Sequence, residues 1–359
     1  MTEPEPIAGA CAWLGKEIAR SRRWVRDLGP ADIAEIDQAL AGVERRGLAW
    51  HEIRRADFQL PNLAGLLAEI AEELENGCGM MKLRGLPVAR YSEDQLRRLY
   101  FGLGANIGTP VFQNRKGELM RSIRDEGAEV GQKYGQIERV RMADGRPFLS
   151  SYARTLSNGA LRFHTDRTDV VALLCVRQAA KGGVSTICSS VSVMNEMLRR
   201  RPDLCALLFE PYYRSRHGEE SETAENVYAL PVFGVREGRF TSHFSLTYIE
   251  AAQTVAGVPK MSAAQMEALD MLLALAKELS FEMTLEPGDI QFLNSHITYH
   301  GRTPFEDDAS SGQDRLLMRL WLAMPNSRAL PRGQEVLWRN IEAGTLRGGI
   351  AQARTPPSR

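Results

Sequence analysis

Two residues near the middle of the chain have the types and spacing to hold a metal ion. They are His164 and Asp166, in Arg162-Phe163-His164-Thr165-Asp166-Arg167-Thr168-Asp169. This stretch runs into an aliphatic, β-branched segment, 170–176, which reads as a buried strand closed by Gly182-Gly183. On one continuous strand, side chains two apart leave from the same face, about 6.5 Å from each other. Imidazole and carboxylate would then reach a single cation. With one more histidine they make the donor set that holds non-haem Fe(II) and leaves three coordination positions open. The bland reading is a structural histidine on a solvated strand edge, because a lone His-x-Asp pair recurs by chance.

The third donor comes from Asn294-Ser295-His296-Ile297-Thr298-Tyr299-His300-Gly301-Arg302-Thr303, which follows the turn signal Pro287-Gly288. His300, next to Gly301, reads as a strand-end residue where backbone and ligand approach closely. His296 is the rival. On a helix the two would share a face as a zinc pair, but Asn294 and Gly301 argue against a helix, and no glutamate follows His296. Further on, Arg315-Leu316-Leu317-Met318-Arg319-Leu320-Trp321 alternates as a strand, with both arginines on one face and roughly 13 Å apart. Buried guanidiniums at that separation suit two different anions, a dicarboxylate among them, or internal salt bridges.

The elements that must position these residues read as one β-core domain with helices in front and between strands. Helices are expected over 31–45, over 63–75 with Asn62 as cap, from Ser92-Glu93-Asp94-Gln95 to 103, where Gly104, Gly108 and Pro110 break the chain, over 193–200, and after Ser262-Ala263-Ala264-Gln265. Met266, Leu269, Leu272, Leu273 and Ala276 form the stripe of the last one. Strands are expected at 80–84, 184–189, 281–285, 290–293 and 315–322, with a hairpin turning on Glu237-Gly238. Asp144-Gly145-Arg146-Pro147 and Ser157-Asn158-Gly159 read as loops, the second placed to overhang a site.

With 45 basic and 45 acidic residues the net charge is zero, which speaks against nucleic acid or an anionic membrane as the main partner. No apolar run is long enough to span a membrane, and the acidic N-terminus has no signal-like segment. Five cysteines without CxxC spacing fit reduced thiols, so a cytoplasmic protein is expected. The sequence leaves monomer and homo-oligomer both open.

Taken together, these motifs resemble the taurine dioxygenase (TauD/TfdA) family of Fe(II)- and 2-oxoglutarate-dependent oxygenases. The resemblance rests on Met80-Met81-Lys82-Leu83-Arg84-Gly85-Leu86-Pro87, Gly104-Ala105-Asn106-Ile107-Gly108-Thr109-Pro110, His164-x-Asp166, Gly182-Gly183-Val184-Ser185, Pro287-Gly288-Asp289, His300-Gly301-Arg302-Thr303 and Arg315-x-x-x-Arg319. It implies an α+β fold: a double-stranded β-helix (jelly roll) core wrapped in helices. That domain is expected at 77–350, with a helical extension that fits no landmark of the family packed on it at 1–76, and a disordered tail at 351–359. It implies that His164, Asp166 and His300 hold Fe(II), and that Arg315 meets the far carboxylate of 2-oxoglutarate, with Ser185 or Thr186 beside it. Arg319 would meet an anion on the substrate. The implied reaction consumes O2 and 2-oxoglutarate, releases succinate and CO2, and hydroxylates, desaturates or cyclises a small molecule at an unactivated C–H. Halogenating relatives lack the carboxylate that Asp166 supplies. A non-catalytic metabolite-binding jelly roll and a zinc hydrolase built on His296 and His300 are the other readings.

Overall fold

The computed structural model describes residues 5–141, 147–216 and 227–350. Asp144-Gly145-Arg146, the stretch 217–226 and the tail 351–359 lie outside the described residues. Two sheets, antiparallel except for one edge pair of the larger, form the jelly-roll core. The larger runs in the order Val25–Asp27, Met80–Arg84, Ile290–Asn294, Val170–Arg177, Leu316–Ala323 and Thr109–Pro110, with Met120–Ile123 also paired to Leu316–Ala323. The smaller runs Phe281–Met283, Ser185–Ser189, Thr298–Arg302, Leu161–His164. One apolar cluster joins Val171, Leu174 and Leu320 of the larger sheet to Ile187, Phe281 and Met283 of the smaller. A second packs Cys188 and Tyr299 against Met194, Met197, Leu269 and Leu272 of the helices Ser190–Arg200 and Ala263–Glu278.

The N-terminal segment contributes more than helices. Val25–Asp27 pairs in parallel with Met80–Arg84, and Trp13 and Trp24 both pack on Phe281 with ring centroids 5.9 and 5.6 Å away. Such a three-residue edge strand is too short to leave an alternating signature.

Capping chemistry sets most helix starts as the sequence suggests. Ser92 and Gln95, and again Ser262 and Gln265, exchange reciprocal side-chain to backbone bonds of 3.0–3.2 Å. Asn62 is not the cap of Ala64–Asn76. The Glu35 carboxylate of the helix Pro30–Arg45 takes the Asn62 and Leu63 N–H groups instead, at 2.8 and 2.9 Å. An anion reaching from another element does the work of a local hydroxyl. Gly104 does not break the third helix, which runs Glu93–Ile107: a Cβ there would lie 2.6 Å from the Leu320 side chain. This glycine lets the helix approach the sheet. Met266 is 47% exposed, leaving Leu269, Leu272 and Ala276 as the buried stripe.

The largest departure concerns residues 165–169. The strand Leu161–His164 ends at the histidine, and Val170–Arg177 begins in the other sheet. Between them the chain crosses from one sheet to the other, and its polar side chains replace the missing ladder. The Thr165 N–H donates to the Phe244 carbonyl at 2.8 Å, and the Thr168 hydroxyl to that of Leu322 at 2.9 Å. The crossover is no solvated edge: Thr168 and Asp169 are fully buried.

Candidate metal centre

His164 closes the strand Leu161–His164, and its direct cross-strand partner is His300, in the middle of Thr298–Arg302. His300 therefore sits within a second strand and not beyond the end of Ile290–Asn294. Gly301 makes this pairing close, since a Cβ there would meet the Leu161 carbonyl and the Thr186 hydroxyl at 2.7 Å. The two imidazole centroids are 4.3 Å apart. Asp166, in the crossover, brings Oδ2 to 3.7 Å from His300 Nε2. One donor atom from each of the three residues lies within 4.8 Å of the others, and among the described residues this is the one such group.

His164 Nδ1 lies 2.9 Å from the Arg162 carbonyl, which can only accept. The proton is thus on Nδ1, and Nε2 keeps its lone pair for a ligand role. Burial pushes the His300 imidazole down to about 3, so this ring is neutral. Burial alone would raise the Asp166 carboxyl, but Arg319, His300 and His164 outweigh it and hold the group below its usual range. Its Oδ2 and His300 Nδ1 are buried without a hydrogen-bond partner. Orphan acceptors of this kind are costly unless something satisfies them. Two imidazoles and one carboxylate around such orphans fit a divalent iron.

Arg319 lines the same cavity as His164 and Asp166. Its Nη1 is 3.8 Å from Asp166 Oδ1, too long for a hydrogen bond, and its Nε donates to Gln113 Oε1 at 2.7 Å. Gln113 returns a bond from Nε2 to the Arg319 carbonyl at 2.8 Å, fixing that arginine from both ends. Gln113 carries no local motif, so sequence reasoning passed over it. Arg315 and Ser185 are not in the lining of this cavity. Arg315 is 6% exposed and lies over the Phe305 ring, 5.1 Å from its centroid, and against Gly183. Its Nη1 has no partner. Burial depresses the guanidinium to about 10. Ser185 pairs with Arg302 on the neighbouring strand, and Thr186 with Gly301.

His296 is held elsewhere. Its Nε2 meets Asp169 Oδ1 at 2.8 Å, and Arg347 Nε donates to the same oxygen, also at 2.8 Å. The zinc pair of His296 with His300 is not formed, because His296 already serves a buried ion network in the crossover.

The model of the taurine catabolism dioxygenase TauD, TfdA family matches residues 44–321. The chain belongs to this family. A TauD/TfdA member is a non-haem iron dioxygenase that uses Fe(II), 2-oxoglutarate and O2, and the donor set above suits that metal. The chain is 28% identical to FR-33289 synthase of Streptomyces rubellomurinus over 91% of its own length and 93% of the relative's. It is also 28% identical to the taurine hydroxylase-like protein SAT17 of Stachybotrys chartarum, covering 86% of this chain and 77% of that one. In fold it is similar to the oxygenase OrfP in complex with Fe and alpha-ketoglutaric acid (TM-score 0.60, 16% identity, 83% and 93% covered). Asparagine oxygenase with Fe(II), 3-hydroxyasparagine and succinate gives a TM-score of 0.58 at 17% identity, with 84% and 93% covered. Like its sequence, the TauD/TfdA fold here carries no helix among the described residues that is long and apolar enough to cross a membrane.

Proposed function

We propose that this TauD/TfdA enzyme oxidises an unactivated C–H bond of a small molecule that carries an anionic group. The supporting observation is the His164, Asp166, His300 cluster with its buried orphan atoms, beside a cavity that Arg319 lines. In this reading the three residues hold Fe(II), and Arg319 receives the substrate anion. Arg315 pairs with the far carboxylate of 2-oxoglutarate, with Ser185 on the adjoining strand. When bound, the metal with 2-oxoglutarate and O2 supplies the oxidising power, and succinate and CO2 leave.

The protein's own residues orient and insulate. The Arg162 carbonyl keeps the proton of His164 on Nδ1, away from the metal side. Gln113 holds Arg319 by Nε, so its remaining N–H groups serve the substrate. Trp321 under that guanidinium, 4.9 Å from its centroid, excludes water. We take hydroxylation as the outcome ahead of desaturation or cyclisation, because OrfP and asparagine oxygenase are described with hydroxylated amino acids. We also assign 77–350 to the oxygenase domain and 1–76 to an extension packed on it.

The test is anaerobic addition of Fe(II) and 2-oxoglutarate, which is expected to give the weak visible charge-transfer band of the chelate. Oxygen and a panel of anionic amines and amino acids should then give succinate in step with an oxidised product. A wild-type protein that binds neither iron nor keto acid sinks the proposal.

A further inference from the structure

Arg302 follows the metal-centre histidine by two residues, on the same strand, and is 5% exposed. Its hydrogen bonds all go to backbone carbonyls of one segment. Nη1 donates to Thr155 at 3.4 Å, and Nη2 to Ser157 at 2.6 Å and to Gly159. That segment is the end of the helix Ser151–Thr155 and the turn behind it. Ser151, Tyr152, Arg154 and Thr155 line the cavity that also holds His164, Asp166 and Arg319. Close by, the Phe305 N–H donates to the Asn158 carbonyl at 3.0 Å. One wall of the substrate cavity is thus hung from the strand that carries His300.

Phe305 adds a second connection. The guanidiniums of Arg302 and Arg315 both lie on its ring, 4.8 and 5.1 Å from the centroid. Neither makes an ion pair among the described residues, and each has a buried N–H without a partner, Arg302 Nε and Arg315 Nη1. Two buried like charges sharing one ring repel each other with little screening.

We propose that Arg302 is a positioning residue that fastens the 151–159 wall to the His300 strand, and that a carboxylate on Arg315 tightens this fastening. The second half rests on the reading of Arg315 as the partner of 2-oxoglutarate; the first half stands without it. An anion at Arg315 cancels the repulsion across Phe305 and lets Arg302 bind its carbonyls more firmly. By reciprocity, an ordered wall strengthens the hold on the keto acid.

Hydrogen–deuterium exchange of peptides covering 151–159 tests both halves in the full, Fe(II)-loaded protein without oxygen. The probes are 2-oxoglutarate and pyruvate, which shares the chelating end and lacks the far carboxylate. In wild type, 2-oxoglutarate is expected to slow exchange of the wall by at least about fivefold, and pyruvate to leave it unchanged. Arg302→Gln should exchange the wall about tenfold faster with no keto acid present, while His164 and His300 peptides stay as in wild type. Equal protection by the two keto acids overturns the coupling. Wild-type exchange in Arg302→Gln overturns the fastening. The wild-type comparison needs no variant to fold. Absence of the charge-transfer band in wild type overturns the reading of Arg315, while the keto-acid-free Arg302→Gln measurement still decides the fastening.

Discussion

His164 and His300 face each other directly across one antiparallel ladder, with ring centroids 4.3 Å apart, although they come from opposite halves of the chain. The pairing of two strands, more than any local motif, brings the candidate metal ligands together, and Asp166 joins them from the crossover that leaves the smaller sheet.

Replacing either side of that centre should remove the metal. His164→Ala and Asp166→Ala are each expected to weaken Fe(II) binding more than about 100-fold, because loss of an outer-sphere partner alone costs 10–100-fold. Anaerobic titration of the charge-transfer band reads the loss. A variant that binds iron as wild type does would remove that residue from the ligand set.

Arg315→Gln separates keto-acid binding from metal binding. A charge-assisted pair is worth about 2–3 kcal/mol, so the 2-oxoglutarate Kd should rise about 30- to 150-fold while iron affinity holds. Folding stability should not fall, since the change removes a buried, unpaired cation. Equilibrium titration with 2-oxoglutarate and urea unfolding check the two expectations separately.

Gly301→Ala tests the close approach of the two histidine strands. A Cβ there meets backbone and hydroxyl oxygens at 2.7 Å, so a loss of about 1–3 kcal/mol and weaker iron binding should appear together. Gly42→Ala is the control. It lies in the helix Pro30–Arg45 with nothing within 4 Å of the added carbon, and should gain about 0.5–1 kcal/mol. Thermal unfolding of both variants decides.

Stability should depend on pH through His296. Burial pushes this imidazole down to about 4, against an ordinary value of 6.5, despite the Asp169 carboxylate beside it. The unfolded chain therefore binds the proton more readily. The contribution is fully present above pH 6.5 and is lost as pH falls from 6.5 toward 4, about 3 kcal/mol in all. Urea midpoints across that window should show a slope that His296→Gln makes shallower by close to one proton. An unchanged slope would mean that His296 does not titrate there.

Much of the chemistry is local and was legible. His164-x-Asp166, Pro287-Gly288, His300-Gly301 and Arg315-x-x-x-Arg319 point to the candidate donors and cations, since residue type and near spacing record what a side chain offers. Both Ser-x-x-Gln capping boxes are legible for the same reason, as a cap needs only its own first turn. Asn62 misled because the anion that caps its helix, Glu35, comes from another element. Gly104 misled because a packing glycine and a helix breaker look alike in one dimension.

Sequence alone determined the kinds of donor on offer, imidazole and carboxylate, and the family of chemistry. Which histidine completes that set was decided by the tertiary structure. His296 and His300 have the same chemistry and lie four residues apart. Strand register sets His300 opposite His164, whereas His296 lies in the turn between Ile290–Asn294 and Thr298–Arg302 and meets Asp169, which Arg347 also holds. The break after His164 was likewise decided by sheet pairing, because a chain that leaves one sheet for another keeps its polar residues bonded to distant carbonyls that no local pattern records. Register and crossover are relations between segments far apart in the chain, fixed by packing two sheets around one core.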